Sequence, residues 1–378
     1  MGDTDERVRR LSAWRRGESP GPWGIELAPT LRCNLECPFC WREGVKDIDY
    51  SAELSMAEYI RILDEAAGLD VREVKLIGGG ESTLRRDTVD IMAGVKERGM
   101  RGYICTNGTL FTEEDIRRIV KSGFDHLKMS FHGHDADTVD LLMGQKDSFR
   151  RQVRNLQRIA RYKRLFGSDK PFVELGLVLG NRNHRHLAEV MRLGAELGVN
   201  AVFIEPITVY SEAGARLKLT ERQEEEFRQS ALEALDDAEE LGIDTNLRNY
   251  LDAAMVRHTG EMQKVLFRNA EEARDSGDPL LESPCFEPFL RMGIRSKGEV
   301  GPCGFLHEAS QESAREKSLA DIWHGPYFSG LRERMLSHNL LPQCSRCCST
   351  LVVNNRDLRR QFRHAEGSHP LQLAEAGR

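Results

Sequence analysis

The sequence predicts an α/β protein, built as a partial TIM-like barrel of six βα units with a small C-terminal cysteine-rich module. From about residue 24 to residue 241, short apolar runs alternate with amphipathic stretches, which is typical of a parallel sheet with helical crossovers. Beyond residue 285, cysteines and turn residues replace that alternation. A closed eight-stranded barrel would need two further units, and the sequence shows no pattern for them.

The composition of the 378-residue chain indicates a globular protein, with 40% hydrophobic and 30% charged residues and a formal net charge of −6. Without a basic excess we expect no nucleic-acid partner. The chain has no N-terminal signal pattern and no apolar run of roughly 18 residues, so we expect a cytoplasmic protein without membrane contact. Nine cysteines then favour metal binding or catalysis over disulfides.

Changes in pattern along the chain predict five segments. The charged stretch after the barrel favours a helical linker, whereas the end of the chain shows no pattern of a packed core. We predict an N-terminal extension over 1–23, the barrel over 24–241, the linker over 242–284, the cysteine-rich module over 285–350 and a disordered tail over 351–378.

Six strand-like runs alternate with helices whose starts can be recognised. Ser55 lies three residues before Glu58, and Thr220 three residues before Gln223, which are the spacings of capping boxes. Since active sites in barrels of this kind collect where the strands end, we expect functional residues there. The runs are GIELAP, VREVKLI, GYICTN, DHLKMSF, FVELGLVL and NAVFIEPI.

The fourth strand alternates polar and apolar side chains. In a barrel the apolar side faces the outer helices and the polar side faces the lumen. An edge strand with one solvated face would show the same alternation, so both interpretations stay open. The side chains predicted to face the lumen are His126, Lys128, Ser130 and His132.

Three cysteines follow the first strand in the stretch RCNLECPFCW, at Cys33, Cys37 and Cys40. Three thiolates would leave one iron of a 4Fe–4S cluster open for another ligand. A structural zinc site would need a fourth ligand, and no cysteine or histidine lies close by in sequence. The triad therefore predicts a cluster that also holds a reactant.

This C-x3-C-x2-C pattern resembles the signature of the radical S-adenosylmethionine (SAM) superfamily, with Phe39 at the aromatic position before the third cysteine. LIGGGEST, after the second strand, is similar to the family segment that binds the methionine amine. The resemblance implies that Gly79, Gly80 and Glu81 bind it here.

Later segments match the family less closely. Asn107 lies in the family-like segment TNGT, and Ser130 falls where the family's S-x-D-G strand end helps to hold SAM. His132 replaces the usual aspartate of that segment, and Met143 stands where many relatives carry an arginine for the SAM carboxylate. Lys128 is then the candidate for that contact.

The resemblance also implies the chemistry. One electron from an external donor such as flavodoxin or ferredoxin reduces the cluster, and SAM is cleaved to methionine and a 5′-deoxyadenosyl radical that abstracts a substrate hydrogen. His132 and Glu205, at the ends of the fourth and sixth strands, are predicted to contact the substrate. Each could equally be a hydrogen-bonded structural group.

A second set of cysteines, Cys285, Cys303, Cys344 and Cys347, has the layout C-x12-G-x4-C followed by CSRC. This layout resembles the auxiliary-cluster modules called SPASM or Twitch, and four ligands fit the one-cluster Twitch type. The resemblance implies an auxiliary 4Fe–4S cluster, with a four-cysteine zinc site as the alternative.

Two cysteines remain, Cys105 on the third strand and Cys348 beside Cys347. Ile104 suits the outer helices, so Cys105 is predicted to face the lumen. Each thiol is either a hydrogen-atom donor to a substrate radical or an ordinary packed residue.

Three functions fit the resemblance. Twitch-type relatives favour dehydrogenation of a small polar molecule, such as a sugar or aminocyclitol in antibiotic biosynthesis, by an oxidoreductase whose auxiliary cluster takes the second electron. An epimerase with a cysteine hydrogen donor is one alternative. Modification of a ribosomal peptide is another, although only about 23 residues precede the first strand, too few for the leader-peptide domain that many such enzymes carry.

Overall fold

The chain folds around one nine-stranded sheet, seen in a computed structural model that describes residues 3–44, 50–251, 266–267, 270–271, 276–303, 312–347 and 349–367. The order across the sheet is 7-6-5-4-3-2-1-8-9, and every neighbouring pair is parallel except the last. The strands are β1 Gly24–Leu27, β2 Glu73–Leu76, β3 Arg101–Thr106, β4 His126–Ser130, β5 Phe172–Leu179, β6 Ala201–Pro206, β7 Asp244–Thr245, β8 Arg291–Ile294 and β9 Val300–Gly301.

Helices connect the strands and cover the outer face of the sheet. Short 3₁₀ segments lie at Trp41–Gly44, Ser82–Leu84, Leu247–Tyr250 and Pro342–Arg346. The α-helices are α1 Asp3–Arg15, α2 Met56–Gly68, α3 Thr88–Glu97, α4 Glu113–Lys121, α5 Ala136–Met143, α6 Ser148–Phe166, α7 Leu187–Glu196, α8 Glu212–Ala215, α9 Glu221–Leu241, α10 Glu287–Leu290, α11 Leu319–His324, α12 Pro326–Leu336 and α13 Ser349–Gly367.

The six predicted βα strands are confirmed as β1 to β6, and β5 coincides with the run FVELGLVL. Both predicted capping boxes are present: Ser55 accepts from the Glu58 amide and Thr220 from the Gln223 amide, with the reciprocal side-chain bonds also formed. Such local signals depend on only a few neighbouring residues, which is why the sequence reveals them.

The inward and outward faces of the strands differ as predicted for β4. Leu127 and Met129 are fully buried under the helices, whereas the Lys128 ammonium contacts carboxylates on β5 and β6. The edge-strand alternative is excluded, because β4 lies between β3 and β5.

Three strands of the sheet lie outside the six predicted βα units. β7 extends the sheet beyond β6 at Ala201↔Asp244, within the segment predicted as a helical linker. Residues 252–265 of that segment lie outside the described residues. At the other end, β8 pairs with β1 from Gly24↔Arg291 to Leu27↔Ile294. The cysteine-rich module therefore contributes to the barrel sheet itself.

A buried cluster of ion pairs connects β8 with β1, β2 and α10. The Arg291 guanidinium lies 3.3 Å from Glu73, 3.5 Å from Glu287 and 3.8 Å from Glu26. Burial lowers the pKa of Arg291, but the surrounding carboxylates more than offset this and raise it. Three strands and α10 therefore share one charge cluster.

The tail predicted to be disordered is a helix over most of its length. Residues 349–367 form α13, Phe362 is completely buried and its ring meets Phe286 edge-on at 6.5 Å. Arg359 donates to the carbonyl of Leu281 at 2.9 Å. The prediction of disorder is wrong for 351–367, and 368–378 lie outside the described residues.

In the part of the chain that the structure describes, no helix is both long enough and apolar enough to cross a lipid bilayer.

We predict that Phe362→Ala lowers the free energy of unfolding by about 3–5 kcal/mol, because it empties a buried aromatic site. Thermal or urea denaturation would measure the change. Gln361→Ala, an exposed position on the same helix, is the matched control and should be nearly neutral. Equal stability of the two variants would show that α13 does not contribute to the core.

Candidate active site

The predicted cluster ligands Cys33, Cys37 and Cys40 lie on the loop after β1. Helix α5 packs against this loop. The Glu36 amide donates to the Met143 carbonyl at 3.3 Å, and Met143 packs with Leu35 beneath the cysteines. Met143, which stands at the family's arginine position, therefore has a packing role in this structure.

The three cysteines form no disulfide and are partly buried. Burial raises the pKa of Cys37, and the neighbouring Cys40 and Cys33 raise it further. Three crowded thiols that resist ionisation suit a cationic metal centre, which would stabilise the thiolates as ligands. The loop therefore fits the implied cluster.

The glycine turn after β2 packs directly on the cysteine loop. Gly80 donates its amide to the Thr30 carbonyl at 2.8 Å, and Glu81 donates to the Arg32 carbonyl at 2.7 Å. A Cβ atom on Gly80 would overlap the Arg32 carbonyl, and Gly79 has a φ of +75°. Only glycines permit this close approach, so the predicted SAM-binding turn does lie beside the predicted cluster ligands.

Glu81 is buried, with 3% of its surface exposed, and its carboxylate accepts four hydrogen bonds. Oε1 accepts from the Thr83 amide at 2.9 Å, the Thr83 hydroxyl at 2.6 Å and the Thr106 hydroxyl at 2.7 Å. Oε2 accepts from the Asn107 amide at 2.6 Å. These bonds nearly fill the acceptor capacity of a carboxylate. Glu81 thus joins the ends of β2 and β3, and its contact with the methionine amine stays a prediction.

The side chain of Asn107 extends the same network to the cysteine loop. Its Nδ2 donates to Asn34 Oδ1 at 2.9 Å, and its Oδ1 accepts from the Thr109 amide at 2.9 Å. Gln152 on α6 donates to the carbonyls of both Asn107 and Ser130 at 2.6 Å. Sequence reasoning missed Asn34 and Gln152. The sequence feature that could have revealed Asn34 is its position between two predicted cluster cysteines.

Lys128 and Glu205, predicted separately, meet in the lumen. The Lys128 ammonium lies 3.0 Å from Glu174 and 3.4 Å from Glu205. Burial alone would lower the pKa of Lys128, but the neighbouring anionic groups raise it well above its usual value. A Cβ on Gly176 would approach the Lys128 side chain to 2.5 Å, so this glycine makes room for it.

Glu174, missed by sequence reasoning, also accepts from His126 Nε2 at 2.9 Å. Burial would raise the pKa of Glu174, but His126 and Lys128 lower it overall. The sequence feature that could have revealed Glu174 is an acidic side chain inside the otherwise apolar run FVELGLVL. Two carboxylates already surround the ammonium, and the proposed contact of Lys128 with the SAM carboxylate stays a prediction.

His132 lies between the cysteine loop and β5. Its Nδ1 accepts from the Val178 amide at 3.2 Å, and its ring meets Phe39 edge-on at 5.0 Å. Burial, together with the charge of Lys128, lowers the pKa of His132 to about 4, so the ring is neutral at pH 7. The structure gives His132 a structural contact, and its contact with substrate stays a prediction.

Of the two remaining thiols, Cys105 pairs in register with Lys128, while its neighbour Ile104 is fully buried under the helices. Burial raises the pKa of Cys105 to about 11, which keeps the thiol protonated at pH 7. Cys348 lies outside the described residues.

The second cysteine set gathers beside the β8–β9 hairpin. Burial raises the pKa of Cys285, and the nearby groups Cys303 and Cys344 add to the shift. Cys347 donates its amide to the Cys344 carbonyl at 3.2 Å. Within the described residues, no group of three His, Cys, Asp or Glu side chains surrounds the position of a single metal ion. A four-iron cluster needs a wider ring of thiols than one ion does.

Comparison with family models matches residues 27–193 to the radical SAM superfamily and residues 285–348 to the iron–sulfur cluster-binding SPASM domain. The chain belongs to the radical SAM superfamily and carries a SPASM/Twitch-type module at its C-terminus. It is a radical SAM enzyme whose cofactors are SAM and 4Fe–4S clusters.

Curated relatives match along most of their length. Fe-coproporphyrin III synthase of Methanosarcina barkeri is 27% identical over 331 residues, covering 84% of this chain and 78% of that protein. The tungsten-containing aldehyde ferredoxin oxidoreductase cofactor-modifying protein of Pyrococcus furiosus is 26% identical over 348 residues, covering 85% and 86%. The PqqA peptide cyclase of Granulibacter bethesdensis is 27% identical over 342 residues, covering 88% and 81%.

Solved structures confirm the predicted partial-barrel fold. SuiB of Streptococcus suis bound to SAM superposes with a TM-score of 0.62 at 18% identity, covering 86% of this chain and 69% of that one. Native anSMEcpe with bound SAM gives 0.60 at 14% identity, covering 91% and 98%. At these identities the similarity shows the fold alone.

We predict that Glu81→Gln lowers the free energy of unfolding of the cluster-free protein by about 1–3 kcal/mol, because an amide NH₂ would face a buried donor. SAM should also bind ten- to a hundredfold more weakly to the reconstituted protein, through loss of a charge-assisted bond of about 1.5–3 kcal/mol.

Denaturation and SAM-binding titrations would separate the two roles of Glu81. Glu97→Gln, on the exposed side of α3, is the control and should change neither quantity. Unchanged stability would contradict the loop-joining role of Glu81, and an unchanged dissociation constant would remove it from the SAM site.

Proposed function

We propose that this enzyme modifies a peptide, beginning with hydrogen abstraction from a residue held in the barrel lumen. The observation that carries the proposal is the similarity to PqqA peptide cyclase, which spans both the barrel and the module over 88% of this chain. SuiB, a neighbour in fold, has been solved with its precursor peptide SuiA.

The shape of the sheet supports access for an extended chain. β7 and β9 are its two end strands, and in the described part of the chain they are not paired with each other. Among the described residues the sheet is therefore not closed into a ring, which would let a peptide segment approach the lumen between its two end strands.

In this proposal two cysteine sets hold the two clusters. When bound, SAM and a reduced cluster would supply the radical chemistry that abstracts hydrogen. An external donor such as flavodoxin or ferredoxin would supply the reducing electron. The SAM cluster would be held by Cys33, Cys37 and Cys40, the auxiliary cluster by Cys285, Cys303, Cys344 and Cys347, and the methionine end of SAM by the backbone of Gly79 and Gly80.

The barrel residues would orient and shield the reacting groups. The packed rings of Phe39 and the neutral His132 would shield one side of the reacting groups beside the third cysteine. Lys128 would hold the carboxylate of Glu205 in the lumen.

Dehydrogenation of a sugar or aminocyclitol, the function first predicted from the sequence, is less well supported. Of the three reported relatives that span both segments, one is named a peptide cyclase, one a cofactor-modifying protein and one Fe-coproporphyrin III synthase. None is named as a sugar or aminocyclitol dehydrogenase, so that substrate class and a place in antibiotic biosynthesis rank behind a peptide.

Epimerisation of a peptide residue is a second candidate, and Cys105 is the observation that favours it. A protonated thiol in register with Lys128 on the barrel strands is suited to return a hydrogen atom to a carbon radical.

The peptide proposal predicts turnover that depends on a peptide substrate. The anaerobically reconstituted enzyme, with SAM and dithionite, should convert a synthetic peptide encoded by a short reading frame beside its gene. Mass spectrometry should show a loss of two hydrogens, or chiral amino-acid analysis should show an inverted residue at unchanged mass, and 5′-deoxyadenosine should rise with the peptide. Consumption of an aminocyclitol panel in place of the peptide would contradict the proposal.

The epimerase candidate predicts solvent hydrogen in the product. In deuterated water one deuterium should enter the inverted carbon of the peptide, and Cys105→Ala should abolish its incorporation while SAM cleavage continues. Ile104→Val, on the opposite face of β3, should behave like the wild type. A product two hydrogens lighter from both variants would exclude a thiol donor.

A further inference from the structure

An arginine and a predicted cluster cysteine flank the β8–β9 hairpin. Arg295 directly follows β8, and Cys303 comes two residues after β9. Gly293 pairs with Gly301, and the Arg295 amide donates to the Glu299 carbonyl at 2.9 Å.

Gly293 lets the backbone of Cys303 come close, since a Cβ at that position would already lie 3.4 Å from the Cys303 carbonyl. Arg295, Gly301 and Cys303 line one small cavity of about 40 Å³. The arginine and the cysteine therefore border the same cavity.

That cavity lies between the two predicted cluster sites. Gly79 of the glycine turn also lines it, as does Trp41, the residue after Cys40. An electron moving from the lumen to the auxiliary cluster would cross the region of this cavity. Among the second set of cysteines, Cys303 is the one that lines the cavity.

The charges around Cys303 have opposite signs. Burial lowers the pKa of Arg295, whereas Glu299 and Cys303 oppose that shift, which shows that the guanidinium is within electrostatic reach of both. Across the cysteine set, Glu287 acts on Cys285 with a negative charge. Arg295 is thus a cation within electrostatic reach of Cys303, and the charge of Glu299 would partly offset it.

We propose that Arg295 is a positioning residue that raises the reduction potential of the auxiliary cluster bound through Cys303. Reduction adds one negative charge to a cluster, and a nearby fixed cation stabilises the reduced form in a low-dielectric surrounding. The cluster would thereby accept an electron from a substrate radical more readily. This inference rests on the proposed ligand set, not on the identity of the peptide.

The test isolates the auxiliary cluster by replacing Cys33, Cys37 and Cys40 with alanine. Anaerobic redox titration followed by electron paramagnetic resonance then gives its midpoint potential. In that background Arg295→Gln should shift the reduction equilibrium about tenfold towards the oxidised form, ~59 mV for one electron. Arg295→Lys should keep the potential, and Glu299→Gln should move it in the positive direction.

Arg150→Gln, which removes an exposed arginine from α6, is the matched control and should leave the midpoint unchanged. Equal midpoints for the Arg295→Gln and Arg150→Gln proteins, at full iron content, would overturn the inference. If Arg295→Gln fails to assemble a cluster, an unchanged midpoint in Glu299→Gln would overturn it instead. A triple-alanine background without iron would refute the proposed ligand set itself.

Discussion

The buried carboxylate of Glu81 is the constraint on which the edge of the barrel that is predicted to bind the cofactor depends. An unpaired charge at this depth is strongly disfavoured, so the hydroxyl and amide donors of Thr83, Thr106 and Asn107 must stay in place around it. The Asn107 side chain in turn donates a hydrogen bond to Asn34, which connects the cysteine loop to the same network. Three loops that are separate in sequence are therefore held together by the chain's own hydrogen bonds.

In the lumen, too, the buried charged groups have partners, and there the partners form ion pairs. Lys128, Glu174 and His126 satisfy one another on adjacent strands, and Gly176 is small because the lysine needs its space. Arg291 likewise forms ion pairs with several carboxylates at once. The strands thus turn charged side chains towards the lumen and apolar side chains towards the helices, where the hydrophobic core lies.

Local sequence signals predicted much of this molecule. The run FVELGLVL marks β5 and the cysteine spacing marks the superfamily, because each signal is complete within a few neighbouring residues. Signals that require a distant partner were missed. Phe362 packs on Phe286, the importance of Glu174 depends on strand register, and strands as short as β7 and β9 carry too few residues to show a period.

The parallel pairing of β1 with β8 has a consequence for how such enzymes diversify. A barrel cut off before residue 285 would expose the edge of β1, whose unpaired backbone groups would recruit strands from other molecules. The auxiliary module therefore cannot simply be exchanged between relatives by recombination. A graft must bring a strand that reproduces the four-residue match between Gly24–Leu27 and Arg291–Ile294, so barrel and module are inherited as one cooperative unit.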